Sequence, residues 1–284
     1  MLQILFRLIA RLPLSSLHAM GAALGWLTYW TSPAYARRLR ENLFASGVSR
    51  GLERDQCDQL LRQVIAETGK GALELVAIWF ASDERIRGWL HCDSLQVIER
   101  LRRHGKSVIV LTPHLGGFEM GAPCMAAKMP LTVMYRPPKL RWLEPLMIAG
   151  RSRWGTAVAP ASMKGVRMLL RALQRGETVA LVPDQSPGAG EGKWADFFGR
   201  PAYTMTLVAK LQQATGAALV TLGVERLPDG RGYQVRFEEL PARNFDEAAL
   251  NRALETLVRT CPAQYLWGYN RYKAPEGGRM KDEG

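Results

Sequence analysis

The sequence predicts an α/β protein, with a central, mainly parallel sheet flanked by helices. Two observations carry that expectation. Short apolar, β-branched runs recur at 107–112, 131–135, 178–182 and 218–224, the right length and composition for buried strands. Helical patterns at about 139–153, 162–175, 204–215 and 246–259 alternate with them, and strand–helix alternation builds layered parallel sheets. In such sheets ligands sit outside the carboxyl ends of the strands, which directs attention to the residues after each run.

The elements follow in order. Between residues 12 and 36 there are 25 residues without Lys, Arg, Asp or Glu, preceded by Arg7 and Arg11 and followed by Arg37, Arg38 and Arg40. A stretch of roughly 20 apolar residues can cross a bilayer. Pro13, Ser15, Ser16 and His18 make an interfacial helix an equal alternative, with Trp26, Tyr29 and Trp30 as an aromatic belt. A cleaved signal peptide and a buried core helix are the competing readings. Residues 52–80 predict one or two helices, with Gly69 and Gly71 as the candidate division, and 95–103 a short helix ended by Gly105. Residues 233–237 alternate as an edge strand does, and Thr204 is a candidate N-cap for the helix at 204–215.

Composition narrows the partners. The chain of 284 residues carries 38 basic and 26 acidic residues, a net charge of +12. The excess is concentrated: residues 1–50 hold six Arg and one Glu, and residues 136–175 hold nine basic residues against Glu144 alone. Clustered positive charge calls for anionic partners such as acidic lipid, an acidic carrier protein or nucleic acid. No recognised nucleic-acid module, no P-loop and no G-x-G-x-x-G after a strand is present, so neither nucleic acid nor a nucleotide cofactor is expected. Cys57, Cys92, Cys124 and Cys261 are widely spaced, which predicts neither a disulfide framework nor a zinc site.

Chemistry-bearing residues gather after the strands. The first run ends in Thr112-Pro-His114-Leu-Gly-Gly-Phe-Glu119, a histidine at a strand end with a carboxylate five residues on. A histidine oriented by a carboxylate can act as a general base toward a hydroxyl, and Glu119 is the expected partner of His114. The second run ends in Tyr135-Arg136-Pro-Pro, and the following helix leads to Arg151-Ser-Arg153. The third ends in Pro183-Asp184-Gln185, ahead of a glycine-rich loop and Phe197-Phe198-Gly199-Arg200-Pro201. Phe197 and Phe198 suit either core packing or an apolar wall beside an acyl chain.

Taken together these motifs resemble the bacterial lipid A biosynthesis acyltransferases, the late or secondary acyltransferases. The likeness rests on His114/Glu119, Tyr135-Arg136-Pro137, Arg151, Asp184-Gln185, Phe197-Phe198-Gly199-Arg200-Pro201 and Trp267-Gly-Tyr-Asn-Arg271-Tyr-Lys273, all in order along the chain. Tyr269-Asn270 stands where members often carry His-Arg. The resemblance implies the helix-flanked sheet shared with glycerol-phosphate acyltransferases, with residues 1–36 anchoring to membrane and 37–284 forming the acyltransferase domain. It also implies transfer of a fatty acyl chain from acyl carrier protein to a hydroxyl of a Kdo-bearing lipid A precursor, at the cytoplasmic face of the inner membrane. Another phospholipid or glycolipid acceptor is the alternative. His114 and Glu119 are then the expected catalytic pair, and Arg136, Arg151, Asp184, Gln185, Arg271 and Lys273 the expected substrate contacts. No metal or cofactor is implied.

Overall fold

The computed structural model of the protein describes residues 2–138 and 140–275. Its helices are α1 (Leu2–Ile9), α2 (Leu14–Thr31), α3 (Pro33–Ala45), α4 (Arg54–Phe80), α5 (Asp83–Trp89), α6 (Gln96–Arg103), α7 (Gly121–Ala126), α8 (Glu144–Arg151), α9 (Met163–Gln174), α10 (Leu207–Thr215) and α11 (Glu247–Thr260). The strands are β1 (Leu90–Cys92), β2 (Val108–Leu111), β3 (Leu131–Tyr135), β4 (Ala157–Pro160), β5 (Thr178–Leu181), β6 (Gly192–Phe197), β7 (Arg200–Met205), β8 (Ala218–Arg226) and β9 (Tyr233–Leu240). Seven strands form one sheet in the order β1-β9-β8-β2-β5-β3-β4, while β6 and β7 pair as a separate hairpin. Every pairing in the large sheet is parallel except β8 with β9. The expected α/β architecture is therefore present.

β2 shows why the pattern is legible. Its Val-Ile-Val-Leu run is fully buried at all four positions, as a strand covered by helices on both faces requires. Side chains alternate between two cores. Val108 and Val110 join one with α6, α7 and the end of α4; Ile109 and Leu111 join the other with α9, α10 and α11. Leu111 of β2 lies beside Leu181 of β5, and β3 adjoins β5 on its other side. Three strand ends thus open side by side on the sheet's carboxyl edge.

Of the one or two helices expected over 52–80 there is one, α4, and other expectations are corrected. α4 is unbroken at Gly69 and Gly71. Gly69 marks a helix crossing instead: a Cβ there would lie 2.1 Å from Gly21 O and 2.4 Å from Gly25 N of α2. The missing side chains let the two backbones touch, which a bulkier residue would prevent. The pattern at 139–153 resolves into a turn and the shorter α8. Thr204 is no N-cap; it lies within β7, and α10 begins after Thr206. Pro123 is accommodated because it falls in the first turn of α7, where no intrahelical N–H is needed.

The N-terminal segment has two faces. Leu14, Leu17, His18, Gly21 and Gly25 of α2 are buried against the body of the protein, with Leu14 and Leu17 in the same core as the sheet. A cut at residue 36 would therefore open that core. On the opposite face Met20, Leu24, Leu27 and Trp30 are exposed, Leu27 by 55% and Trp30 by 70%; Leu5 and Leu8 of α1 are exposed likewise. Among the described residues no helix is long and apolar enough to cross a membrane.

Candidate active site

Because β2 and β5 run parallel with Leu111 opposite Leu181, the residues three beyond each strand meet. Those residues are His114 and Asp184. The His114 Nδ1 lies 2.7 Å from Asp184 Oδ1, and the His114 backbone N–H donates to Asp184 Oδ2 at 2.9 Å. Asp184 is buried, whereas the imidazole remains partly open to solvent. Burial pushes the Asp184 carboxyl up, but the His114 ring, the His114 N–H and the nearby Arg271 charge outweigh it, and the net displacement is downward. An ionised Asp184 accepts from Nδ1–H, so the neutral ring carries its lone pair on Nε2. The Gln185 amide nitrogen faces that Nε2 at 3.3 Å. Phe118 packs edge-on against the imidazole, ring centroids 4.8 Å apart.

The expected pairing of His114 with Glu119 is not the one formed. Gly116 adopts φ +53°, and a single 3-10 turn follows at Phe118–Met120. The turn carries Glu119 to the ends of α4 and α8. There the buried Glu119 carboxylate accepts from Arg151 Nε at 3.0 and 3.1 Å, from Arg151 Nη2, and from Trp79 Nε1 at 3.2 Å. Burial pushes the Arg151 guanidinium down, yet Glu119 holds it net above its ordinary value, so Arg151 stays charged. The carboxylate that orients His114 is Asp184, and Glu119 instead orients an arginine.

The loop after His114 is anchored by the C-terminal segment. Leu266 N–H donates to His114 O at 3.2 Å, and Gly116 N–H donates to Gln264 O at 3.0 Å. Tyr269 Oη accepts from Ser186 N–H at 3.1 Å. A Cβ on Gly116 would fall 1.9 Å from Val224 O, so this loop seats only a glycine against β8.

The remaining expected contacts divide. Arg136 is exposed at the end of β3, and Lys273 is partly exposed. Arg271 is 2% exposed and is spent on Tyr203 O at 2.7 Å, Thr204 Oγ1 at 2.7 Å and Asn251 Oδ1 at 3.3 Å. It ties the chain's end to β7 and α11. Arg153 caps the end of α4 at Ile78 O and Trp79 O and pairs with Asp83. Phe197 and Phe198 are buried among Tyr265 and Trp267, so core packing is their role. Nothing in a helical Trp signals the contact that Trp79 makes with Glu119.

Beside Glu119 and Arg151 lies an apolar cavity of about 50 Å³, walled by Phe118, Ala122, Met125 and Met134. Among the described residues no group of three or more His, Cys, Asp or Glu is arranged to hold a metal. What the arrangement can do is move one proton at His114 Nε2, and Phe118, which packs on that ring, also lines the apolar recess beside Glu119 and Arg151.

A sequence model of the bacterial lipid A biosynthesis acyltransferases matches residues 1–274. The chain belongs to that family. It is 26% identical over 284 residues to a lipid A biosynthesis lauroyltransferase of Escherichia coli K12, covering 95% of this chain and 90% of the relative. It is 27% identical over 225 residues to a palmitoleoyltransferase of lipid A biosynthesis from the same organism, covering 77% and 73%. A myristoyltransferase of that pathway is 21% identical over 240 residues, covering 81% and 73%. The protein is thus a lipid A acyltransferase of lipopolysaccharide biosynthesis.

Proposed function

We propose that this lipid A acyltransferase moves a fatty acyl chain from acyl carrier protein to a hydroxyl of a Kdo-bearing lipid A precursor, with His114 as general base. The observation that carries the reading is the imidazole whose Nδ1 is held by buried Asp184 while Nε2 faces the open edge of the sheet. The acceptor hydroxyl displaces the Gln185 amide from Nε2 and gives up its proton there as its oxygen attacks the thioester carbonyl. The carbon–sulfur bond then breaks, and the departing thiolate takes the proton from the imidazolium. A thiol is acidic enough that this return needs little further help.

Charge on the carbonyl oxygen needs a donor. The N–H groups of Leu115 and Gly116 are occupied by Pro113 O and Gln264 O. Arg151 has its Nη1 against Met147 Sδ at 3.4 Å, a weak acceptor, so this nitrogen is the proposed donor. Arg136, exposed at the neighbouring strand end, is the proposed partner of a phosphate or carboxylate on the acceptor. The exposed basic residues Lys164, Arg167 and Arg171 are the proposed contacts of the acidic carrier protein. An acyl chain would enter beside Phe118. The cavity is under two water volumes as it stands, and Met125 and Met134 are unbranched side chains able to shift for it.

The reading also places the protein at the cytoplasmic face of the inner membrane. Its support is the exposed row Met20, Leu24, Leu27 and Trp30 with Leu5 and Leu8, flanked by Arg7, Arg11 and Arg37. An apolar face edged by arginines suits a helix lying in the interface. Replacing Leu24, Leu27 and Trp30 by Ser should release the folded protein from anionic vesicles in flotation. Undiminished flotation would exclude this face as the anchor.

The activity is tested by mass spectrometry of lipid A from cells with and without the protein. One additional acyl chain is expected when it is present. A change confined to phospholipids or another glycolipid would overturn the acceptor assignment.

A further inference from the structure

Glu119 and Arg151 owe their relation to a third residue. Trp79, near the end of α4, is 7% exposed, and its indole N–H reaches Glu119 Oε2 at 3.2 Å. That is the oxygen more weakly held by the arginine, at 3.1 Å from Nε alone, whereas Oε1 takes both Nε and Nη2. The indole face meets the same guanidinium, with Arg151 Cζ 5.8 Å from the ring centroid. Both the side chain and the backbone of Trp79 are held. Gly150 of α8 packs directly on it, since a Cβ there would lie 2.4 Å from Trp79 Cβ and Cγ. Arg153 holds the Trp79 carbonyl at 3.0 Å. One indole therefore contacts both members of an ion pair and the helix that carries the arginine.

We propose that Trp79 is a positioning residue for the acyl transfer, setting the plane of the Glu119 carboxylate and through it the orientation of Arg151. A carboxylate gripped only by an arginine can pivot about that contact. A second donor on Oε2, fixed to a different helix, removes the pivot. The guanidinium, which lines the cavity together with Glu119, is then held in one orientation, with Nη1 against Met147 Sδ. Since a donor to developing charge acts in the transition state, loss of this alignment lowers kcat more than it raises KM. The inference rests on the transfer reaction proposed above.

The test is steady-state kinetics of Trp79→Phe, which keeps an aromatic ring and loses the N–H, in wild-type and Glu119→Gln backgrounds. Thermal unfolding of each variant is recorded alongside. Small misplacements of catalytic groups cost up to roughly 100-fold, so kcat should fall by roughly 10–100-fold with KM changed far less. In the Glu119→Gln background the same substitution should change kcat by less than about twofold, because residues acting as one unit are not additive. Gly150→Ala, whose Cβ displaces the indole, should lower kcat in the same manner and decides the matter if Trp79→Phe does not fold. Unchanged kcat in a folded Trp79→Phe or Gly150→Ala protein, or full additivity with Glu119→Gln, would overturn the proposal. Absence of transfer by the wild-type protein would instead count against the proposed reaction.

Discussion

His114→Ala should slow acyl transfer by roughly 10²–10⁴-fold, the usual contribution of a general base. The variant should unfold near the wild-type temperature, because the ring is partly exposed and its loss leaves Asp184 with the residue 114 backbone N–H and the nearby Arg271 charge. Asp184→Asn should be comparably damaging for a different reason. An amide can donate to Nδ1 and favour the tautomer that places the proton on Nε2, where it blocks deprotonation of the hydroxyl. Glu119→Gln should also lower the rate, but through Arg151, since Glu119 makes its bonds to Arg151 and Trp79. A folded His114→Ala protein with near-normal turnover would remove the general-base mechanism.

Glu74→Gln should cost about 3–5 kcal/mol of stability, the range for breaking a buried ion pair by removing one partner. Glu74 of α4 and Arg226 of β8 are each almost fully buried; Arg226 Nε donates to Glu74 Oε2 at 2.7 Å and Nη2 to Oε1 at 2.6 Å. Arg226 also bonds Glu67, Tyr233 Oη donates to Glu74 Oε2 at 3.1 Å, and His18 of α2 lies 3.4 Å from it. The cluster sits directly beneath the loop that carries His114. Gln264 bonds both the N–H and the carbonyl of Arg226, and the same residue's carbonyl holds Gly116. For a domain of this size the loss corresponds to a fall of roughly 10 °C in unfolding temperature. An unfolding temperature within about 2 °C of wild type would contradict the role given to the pair.

The same cluster sets a pH dependence. Burial pushes the Glu74 carboxyl up, but the Arg226 charge and hydrogen bonds, with His18, bring it net down to about 2 from an ordinary 4.5. A carboxyl depressed in the folded state contributes stability that is fully present above its unfolded value and is lost as pH falls through the folded value. Stability from Glu74 should therefore persist above pH 4.5 and disappear progressively toward pH 2. In Glu74→Gln that acid-labile share should be missing.

Much of this protein is legible in its sequence, and the gaps have physical causes. β2, β3, β5, β8 and β9 announce themselves because buried strands need uninterrupted or alternating apolar side chains. β1 and β4 are three and four residues long, and β4 ends in Pro160, so neither gives a readable pattern. The β6–β7 hairpin hides behind a glycine-rich approach and Pro201, although its antiparallel ladder sets Pro201 opposite Asp196. His114 and Asp184 are each conspicuous at a strand end, yet their partnership depends on β2 and β5 being neighbours, which order along the chain does not reveal. The short spacing from His114 to Glu119 pointed to a local pair, whereas a left-handed glycine and one 3-10 turn separate them. Arg271 reads as a ligand because a sequence shows charge but not burial; in the fold it ties down the chain's end.

The dyad itself can be observed without turnover. The protein has four histidines, so nitrogen-15 labelling of the imidazoles gives a spectrum simple enough to assign His114 by its absence in His114→Ala. The account predicts a His114 Nδ1–H signal shifted downfield by a carboxylate acceptor, lost in Asp184→Asn and retained in Glu119→Gln. A signal that survives Asp184→Asn and vanishes in Glu119→Gln would contradict it.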